Sequence, residues 1–236
     1  MNNILEVFRL GTLAYTDAWA MQKSMAQERA YQQRSDALLL LEHPHTYTLG
    51  SSGKLEHLLM DEAERTRRGV SVYQVDRGGD ITYHGPGQLV GYPIVRLPGS
   101  DPSQKRSLDV VAYVRQLEVM LIEALTEFGI IGERLVGYTG VWAKVEGVLS
   151  KIAAIGVKVT AHRITQHGFA LNINTDLDYF RGIIPCGIPD KPVTSMAKIL
   201  GYPVDFSMVM DVVEKAFASN FNYEVARVDP LEMNES

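Results

Sequence analysis

Ala37 to Leu41 reads ALLLL, a continuous apolar run of strand length. A strand with no polar alternation has to be covered on both faces, so the chain must build at least one layer on each side of a sheet. Strands and helices mix along the rest of the chain without a regular βαβ rhythm. The expected fold class is therefore α/β (α+β), with a mixed or antiparallel β-sheet and flanking helices. A chain of 236 residues buries roughly 70–75% of its unfolded surface. One domain spanning 1–236 can hold a core with neither disulfides nor a structural metal.

Local patterns predict the elements. Leu5 to Leu13 reads as a first strand. Thr16 and Asp17 are expected to cap a helix reaching Gln32, with Ala18, Met21 and Met25 on one face. Met60 to Arg68 reads as a short charged helix stopped by Gly69, and Val70 to Val75 as a strand. Gly85 to Gly87 reads as a turn. Leu89 to Leu97 reads as a strand whose Pro93 places it near a sheet edge. Ser107 is expected to cap a helix with Val111, Val114, Leu117, Leu121, Leu125 and Phe128 at helical spacing, ended by Gly129. Val141–Ala143, Ile152–Val159 and Thr165–Ile173 read as strands. Thr194–Leu200 and Ser207–Ser219 read as helices, and the polar tail from Asp229 as frayed.

Composition narrows the function. No apolar run approaches the roughly 18–20 residues of a membrane span. The opening MNNILEVFRLG is too broken by polar residues for a secretory signal. One cysteine cannot form an internal disulfide and excludes Cys-type zinc sites. His43 and His45 lie two apart without a third ligand, so no metal site is expected. The net charge of −5 argues against nucleic-acid binding. The expectation is a cytoplasmic protein engaging neither nucleic acid nor membrane.

Four strings carry chemistry. Arg77 to Gln88, RGGDITYHGPGQ, combines sharp turns with a permanent cation and a titratable imidazole. Taken alone it also fits a Gly-rich hairpin with a surface Arg and a core His. It is not a phosphate loop, because GxxxxGK[ST] is absent. Cys186 sits in Ile184-Pro185-Cys186-Gly187, where Pro and Gly can present a thiol at a tight bend; a lone Cys is equally a small buried hydrophobe. Lys151 opens the apolar strand KIAAIGV, with its ammonium either near the core or snorkelling to water. His167 to Asn174, HGFALNIN, alternates like a strand and places Asn172 and Asn174 on one face, with a satisfied core His and a Gly bulge as the plainer alternative.

Together, RGGDITYHGPGQLVGYP (Arg77–Pro93), KIAAIGV (Lys151–Val157), HGFALNIN (His167–Asn174) and IPCGIPDKPVTSM (Ile184–Met196) resemble the octanoyltransferase family, also called lipoate-protein ligase B. The order matches, and the resemblance runs from about Leu5 to Phe221. It implies the fold of the lipoate- and biotin-protein ligase catalytic domains. It implies Cys186 as the acyl-accepting nucleophile and Lys151 as its partner. It assigns substrate binding to Arg77, Gly78, Gly79, Asp80, Ile81, Thr82, Tyr83 and His84, then to Ala154, Ile155 and Gly156, then to Gly168, Phe169 and Ala170. Phe169 stands where the family more often has Leu, which alters the expected acyl pocket. Ala154-Ile155 replaces a more usual small-Leu pair. Ile188 to Val193 receives no role.

The implied reaction moves an octanoyl group from octanoyl-acyl carrier protein to a lysine on a lipoyl domain. The acceptors would be the lipoyl domains of 2-oxoacid dehydrogenases and the glycine cleavage H protein. Thioester-to-amine transfer is downhill, so neither ATP nor another cofactor is expected. The reactive sulfur must be a thiolate, and Lys151 could stabilise it or exchange its proton. Backbone N–H groups near Gly156 or Gly168, with His84 or His167, are candidate oxyanion donors. Ile155, Phe169 and Leu171 are candidates for the acyl slot, or ordinary core. Arg65, Arg67 and Arg68 form the densest basic cluster for an acidic carrier, or a solvated helix end beside Asp61, Glu62 and Glu64. The rivals are an ATP-dependent lipoate ligase on the same fold and a non-catalytic carrier-binding module. Biotin transfer is a weaker one, since the Arg77 string lacks a GRGRxxR-like loop.

Overall fold

In the computed structural model, which describes residues 3–98, 109–185 and 191–229, Leu38 to Leu41 do what the apolar run demands. They lie in β2 (Asp36–Glu42) and are at most 1% exposed. Leu38 and Leu40 enter one core, and Leu39 and Leu41 another on the opposite face. Each buried leucine contributes roughly 2 kcal/mol of apolar transfer, so the strand anchors both layers.

The main sheet has eight strands in the order β11-β1-β2-β6-β10-β9-β8-β7. They are β1 (Asn3–Thr12), β2, β6 (Gln88–Ile94), β7 (Gly132–Glu133), β8 (Val141–Val145), β9 (Val148–Val159), β10 (Thr165–Asn172) and β11 (Tyr223–Val228). The β1 pairs with β2 and β11 are parallel, and the other pairs are antiparallel. Helix α1 (Tyr15–Ala30) covers one face through Ala18, Met25 and Ala26. Helices α3 (Val110–Thr126) and α5 (Phe206–Phe221) cover the other, through Leu117, Leu121, Val213 and Phe217.

A second sheet holds β4 (Ser71–Gln74), β3 (Thr46–Leu49) and β5 (Ile81–His84) in that order. One of its faces is apolar: Tyr47, Leu49, Ile81 and Tyr83 pack with Met60, Tyr179 and Phe180. The other carries Thr48, Thr82 and His84 toward the main sheet. Short helices α2 (Glu62–Arg67) and α4 (Met196–Leu200) complete the fold, capped by Asp61 and Ser195 through their side chains. No helix among the described residues is long and apolar enough to cross a membrane.

Several expectations need correction. Helix α1 is capped at Ala14, without a side-chain cap; Asp17 falls inside the first turn, where a carboxylate still complements the helix dipole. Ser107 lies outside the described residues, and Asp109 caps α3 by accepting from Ala112 N at 2.8 Å. Val111 is exposed, whereas Tyr113, Met120 and Ala124 join the buried face. Pro93 sits in a central strand. The ladder tolerates it because β10 pairs with β6 only from Phe169–Gly91 to Asn172–Gln88. Beyond that, the Thr165 hydroxyl donates to Pro93 O at 2.7 Å and accepts from Val95 N at 2.9 Å. Strands β3, β5, β7 and β11 were not anticipated, and the tail after Asp229 lies outside the described residues.

Candidate active site

The site begins where a strand loses its neighbour. Strand β8 pairs with β9 only as far as Ala153, leaving Ala154 to Val159 with an open edge. The Arg77 loop closes part of it, with Gly78 N donating to Val157 O at 2.9 Å. A cleft of about 600 Å³ forms there, walled by the Arg77 loop, β5, β9, β10 and the start of α3. Lys151, Arg77, Gly78, Gly79, Asp80, Thr82, His84, Ala154, Ile155, Gly156, Gly168, Phe169 and Ala170 all line it. Of the residues expected to bind substrate, Ile81 and Tyr83 lie elsewhere: strand alternation turns them into the apolar core under the small sheet. Gly156 is needed where Arg77 crosses the strand, since a Cβ would meet Gly78 O at 2.9 Å and Arg77 Cδ at 3.1 Å.

A directed hydrogen-bond chain fixes the polar wall. Arg77 Nη2 donates to Thr48 O at 2.6 Å and to Thr48 Oγ1 at 2.9 Å. The Gln88 amide nitrogen donates to Tyr83 O at 3.0 Å and to Asn172 Oδ1 at 2.9 Å. Its oxygen therefore faces His84 Nδ1, 2.8 Å away, and that ring nitrogen must carry the proton. His84 Nε2 then accepts from the Thr48 hydroxyl at 3.4 Å. Asn172 Nδ2 donates onward to Thr194 O at 2.9 Å. Burial, then the nearby His43 and Arg77, hold the His84 pKa well below its ordinary value, so the imidazole is neutral. Both its nitrogens are engaged within the chain.

His167 is engaged at one ring nitrogen. Its Nε2 donates to Asp76 Oδ1 at 2.8 Å, while Lys158 Nζ lies 2.6 Å from the other carboxylate oxygen. Burial lowers the His167 pKa despite this carboxylate. Its backbone takes φ 55°, an uncommon value for a non-glycine residue. Asp80 faces the cleft, but its carboxylate is held by His57 Nδ1 at 2.5 Å and Ile81 N at 2.7 Å. His43 and His45 serve packing: His43 donates to Leu13 O and accepts from Tyr92, and His45 bonds the Tyr83 hydroxyl. Burial raises the Tyr15 phenol at the cleft wall to about 12.

Lys151 is 7% exposed, with Nζ 4.9 Å from the Trp142 ring centroid. Cys186, Gly187 and the start of the Ile188–Val193 segment lie outside the described residues. The chain on either side is anchored. Ile184 N donates to His57 O at 2.8 Å, and Lys151 N donates to Pro192 O at 2.8 Å. Pro185 and Val193 line a small cavity with Lys151, Thr82, Ala154, Ala170, Gln88, Asn172 and Phe180. Lys151, Thr82, Ala154 and Ala170 thus border both spaces.

The expected basic cluster is largely committed internally. Arg67 pairs with Glu64 at 2.6 Å, Arg65 donates to Met60 O at 2.6 Å, and Arg68 stacks 3.9 Å from the Tyr179 ring centroid. Tyr15, Val110, Val114 and Tyr138 line the cleft from outside every motif, and Tyr92 lines it from within the Arg77–Pro93 string, where it had no assigned role. Thr48 also escaped notice, because its importance depends on strand pairing opposite Thr82. Gln88 had a signal: it ends the Gly-rich string.

The family described as the lipoyl protein ligase A/B catalytic domain matches residues 14–218. An octanoyltransferase of Chloroflexus aggregans is 51% identical over 207 residues, covering 88% of this chain and 90% of that one. One from Chloroflexus aurantiacus is 48% identical over 229 residues, covering 97% and 99%. The fold is similar to that of a lipoate-protein ligase A bound with ATP, at TM-score 0.67 and 14% identity, covering 99% of this chain and 92% of that one. A Thermoplasma acidophilum bipartite lipoate protein ligase gives TM-score 0.69 at 15% identity, covering 97% and 89%. The chain belongs to the lipoyl protein ligase A/B catalytic-domain family and, within it, to the octanoyltransferases.

Proposed function

We propose that this enzyme carries the octanoyl group on Cys186 as a thioester, with Lys151 as its proton-transfer partner. The donor is octanoyl-acyl carrier protein and the acceptor a lysine of a lipoyl domain, on 2-oxoacid dehydrogenases or the glycine cleavage H protein. The reaction takes place in the cytoplasm and uses neither ATP nor another cofactor. The observation that carries this reading is the meeting of Pro185, Val193 and Lys151 at one cavity, which brings the chain on both sides of Cys186 to the lysine. Arg77, Gly78, Gly79, Asp80, Thr82 and His84 supply the polar wall for substrate. Ile155 and Phe169 supply the apolar one, with Ala154, Gly156, Gly168 and Ala170 as its floor.

Lys151 takes the Cys186 thiol proton, and the thiolate attacks the thioester carbonyl. The carbonyl electron pair moves to oxygen and returns as the pantetheine thiolate leaves; Lys151 then protonates that thiolate. The neutral Lys151 next accepts a proton from the attacking lysine amine. The Cys186 thiolate departs and is reprotonated by Lys151, leaving an amide and a free thiol. The balance needs no outside reactant.

Intact-mass spectrometry after mixing with octanoyl-acyl carrier protein tests the reading. A gain of one octanoyl group, lost in Cys186→Ser, is expected. Absence of the adduct, or transfer that requires ATP, overturns it.

A further inference from the structure

Cys186 attack creates an oxyanion, and an oxyanion needs a donor aimed at it. The side chains around the cleft are mostly spent. His84 gives its N–H to Gln88, and His167 gives its own to Asp76. The Arg77 guanidinium is tied to Thr48 and to Gly78 O. The Tyr92 hydroxyl donates to His43. Thr82 differs from all of these. It is 8% exposed, lies directly across the strand pair from Thr48, and its hydroxyl hydrogen-bonds no other residue among those described. It also borders both the main cleft and the small cavity that Lys151 shares with Pro185.

Thr82 sits on the wall of both spaces, so its hydroxyl is free to meet a bound carbonyl there. Placed beside the reacting sulfur's neighbours, it has a use. We infer that Thr82 is a catalytic residue, whose O–H donates to the octanoyl carbonyl oxygen as negative charge develops there in each half-reaction. The inference rests on the thioester reading above. The hydrogen bond adds no covalent step: the thiolate forms the S–C bond, the carbonyl pair moves to oxygen, and Thr82 keeps its proton throughout.

Thr82→Val is close to isosteric and removes only the hydroxyl. A hydroxyl with no partner among the described residues loses no internal hydrogen bond there when deleted, so the melting temperature should hold. Catalysis should suffer. In rapid-quench intact-mass experiments with octanoyl-acyl carrier protein, the single-turnover rate of acyl-enzyme formation should fall about 100-fold, the scale for losing an oxyanion donor. Half-saturation by the donor should change less than about twofold, since the bond strengthens only with the developing charge. Thr82→Ser should restore the rate. Acylation of Thr82→Val at the wild-type rate overturns the inference, with the Cys186 reading intact. Equal losses in Val and Ser variants, with a lowered melting temperature, also overturn it by showing a packing role. A wild-type enzyme that forms no adduct overturns the thioester reading and this inference with it.

Discussion

Lys151 and Val193 are neighbours in a short parallel bridge, closed by Lys151 N to Pro192 O at 2.8 Å and Thr194 N to Lys151 O at 2.9 Å. Through these two bonds the backbone of Lys151 docks the segment that follows Cys186. Side-chain substitutions at Lys151 therefore leave both backbone bonds in place. Lys151→Met should lower octanoyl transfer by roughly 100-fold or more, as expected for losing a proton-transfer group, while stability stays within about 1 kcal/mol. Lys151→Arg keeps a cation but cannot give up its proton. Its activity–pH profile should differ from wild type, and an unchanged profile would exclude proton shuttling.

The Thr48 hydroxyl joins two groups that cannot easily go unpaired. It accepts from the Arg77 guanidinium and donates to His84. Thr48→Val leaves a buried cation short of an acceptor and a buried imidazole short of a donor. The expected loss is about 2–4 kcal/mol, given about 1–3 kcal/mol for each unsatisfied buried polar group. Denaturant midpoints measure it, and Thr48→Ser should recover most of the loss. The contrast with Thr82→Val is instructive: two threonines face each other across one strand pair, and only one should cost stability when made apolar.

Much of this layout was legible in the residues because the relevant signals are local. The unbroken ALLLL run announced a two-sided strand, and Gly129 announced the end of α3. The family resemblance assigned Arg77, Lys151, Gly156 and Phe169 to one site, and all four line the cleft. What stayed hidden depends on register. Ile81 and Tyr83 sit inside the motif yet turn away from the cleft, since side chains alternate along β5. Pro93 read as an edge signal because nothing local reveals that its β10 neighbour stops pairing beyond Gly91. Thr48 and Tyr15 reach the site through tertiary contacts, 29 residues and more from the motif residues they meet.

Phe169 and Gly91 set the depth of the apolar wall. The ring packs so closely on Gly91 that a Cβ there would lie 2.1 Å from Phe169 Cζ. Phe169→Leu removes ring atoms from the cleft wall and should shift preference toward longer acyl chains. Each added methylene that finds apolar burial is worth about 0.8 kcal/mol, roughly fourfold in kcat/KM. Decanoyl carries two more methylenes than octanoyl, so the decanoyl-to-octanoyl ratio should rise by roughly 15-fold where both are buried. Gly91→Ala should act in the opposite sense, pushing the ring into the cleft and favouring shorter chains. A chain-length profile unmoved by both substitutions removes Phe169 from the acyl pocket.

Three buried histidines make the fold acid-sensitive, and His43 gives the sign most directly. Burial lowers its pKa to about 4 from the ordinary 6.5, against a smaller opposing effect from the Leu13 carbonyl. Between those values the unfolded chain holds a proton at this ring that the folded protein refuses. Stability therefore rises with pH across this window: the contribution is full above about 6.5 and is lost as pH falls toward about 4. The amount is about 3 kcal/mol from His43 alone. The lowered pKa values of His84 and His167 act in the same direction. Denaturant midpoints measured from about pH 7.5 down to about pH 4.5 should fall steadily, with the steepest loss below about 6.5. The assigned imidazole resonances of His43 should keep their neutral shifts at about pH 5. A midpoint near the unperturbed value for that ring would show that the Leu13–His43–Tyr92 arrangement does not hold the neutral form in solution.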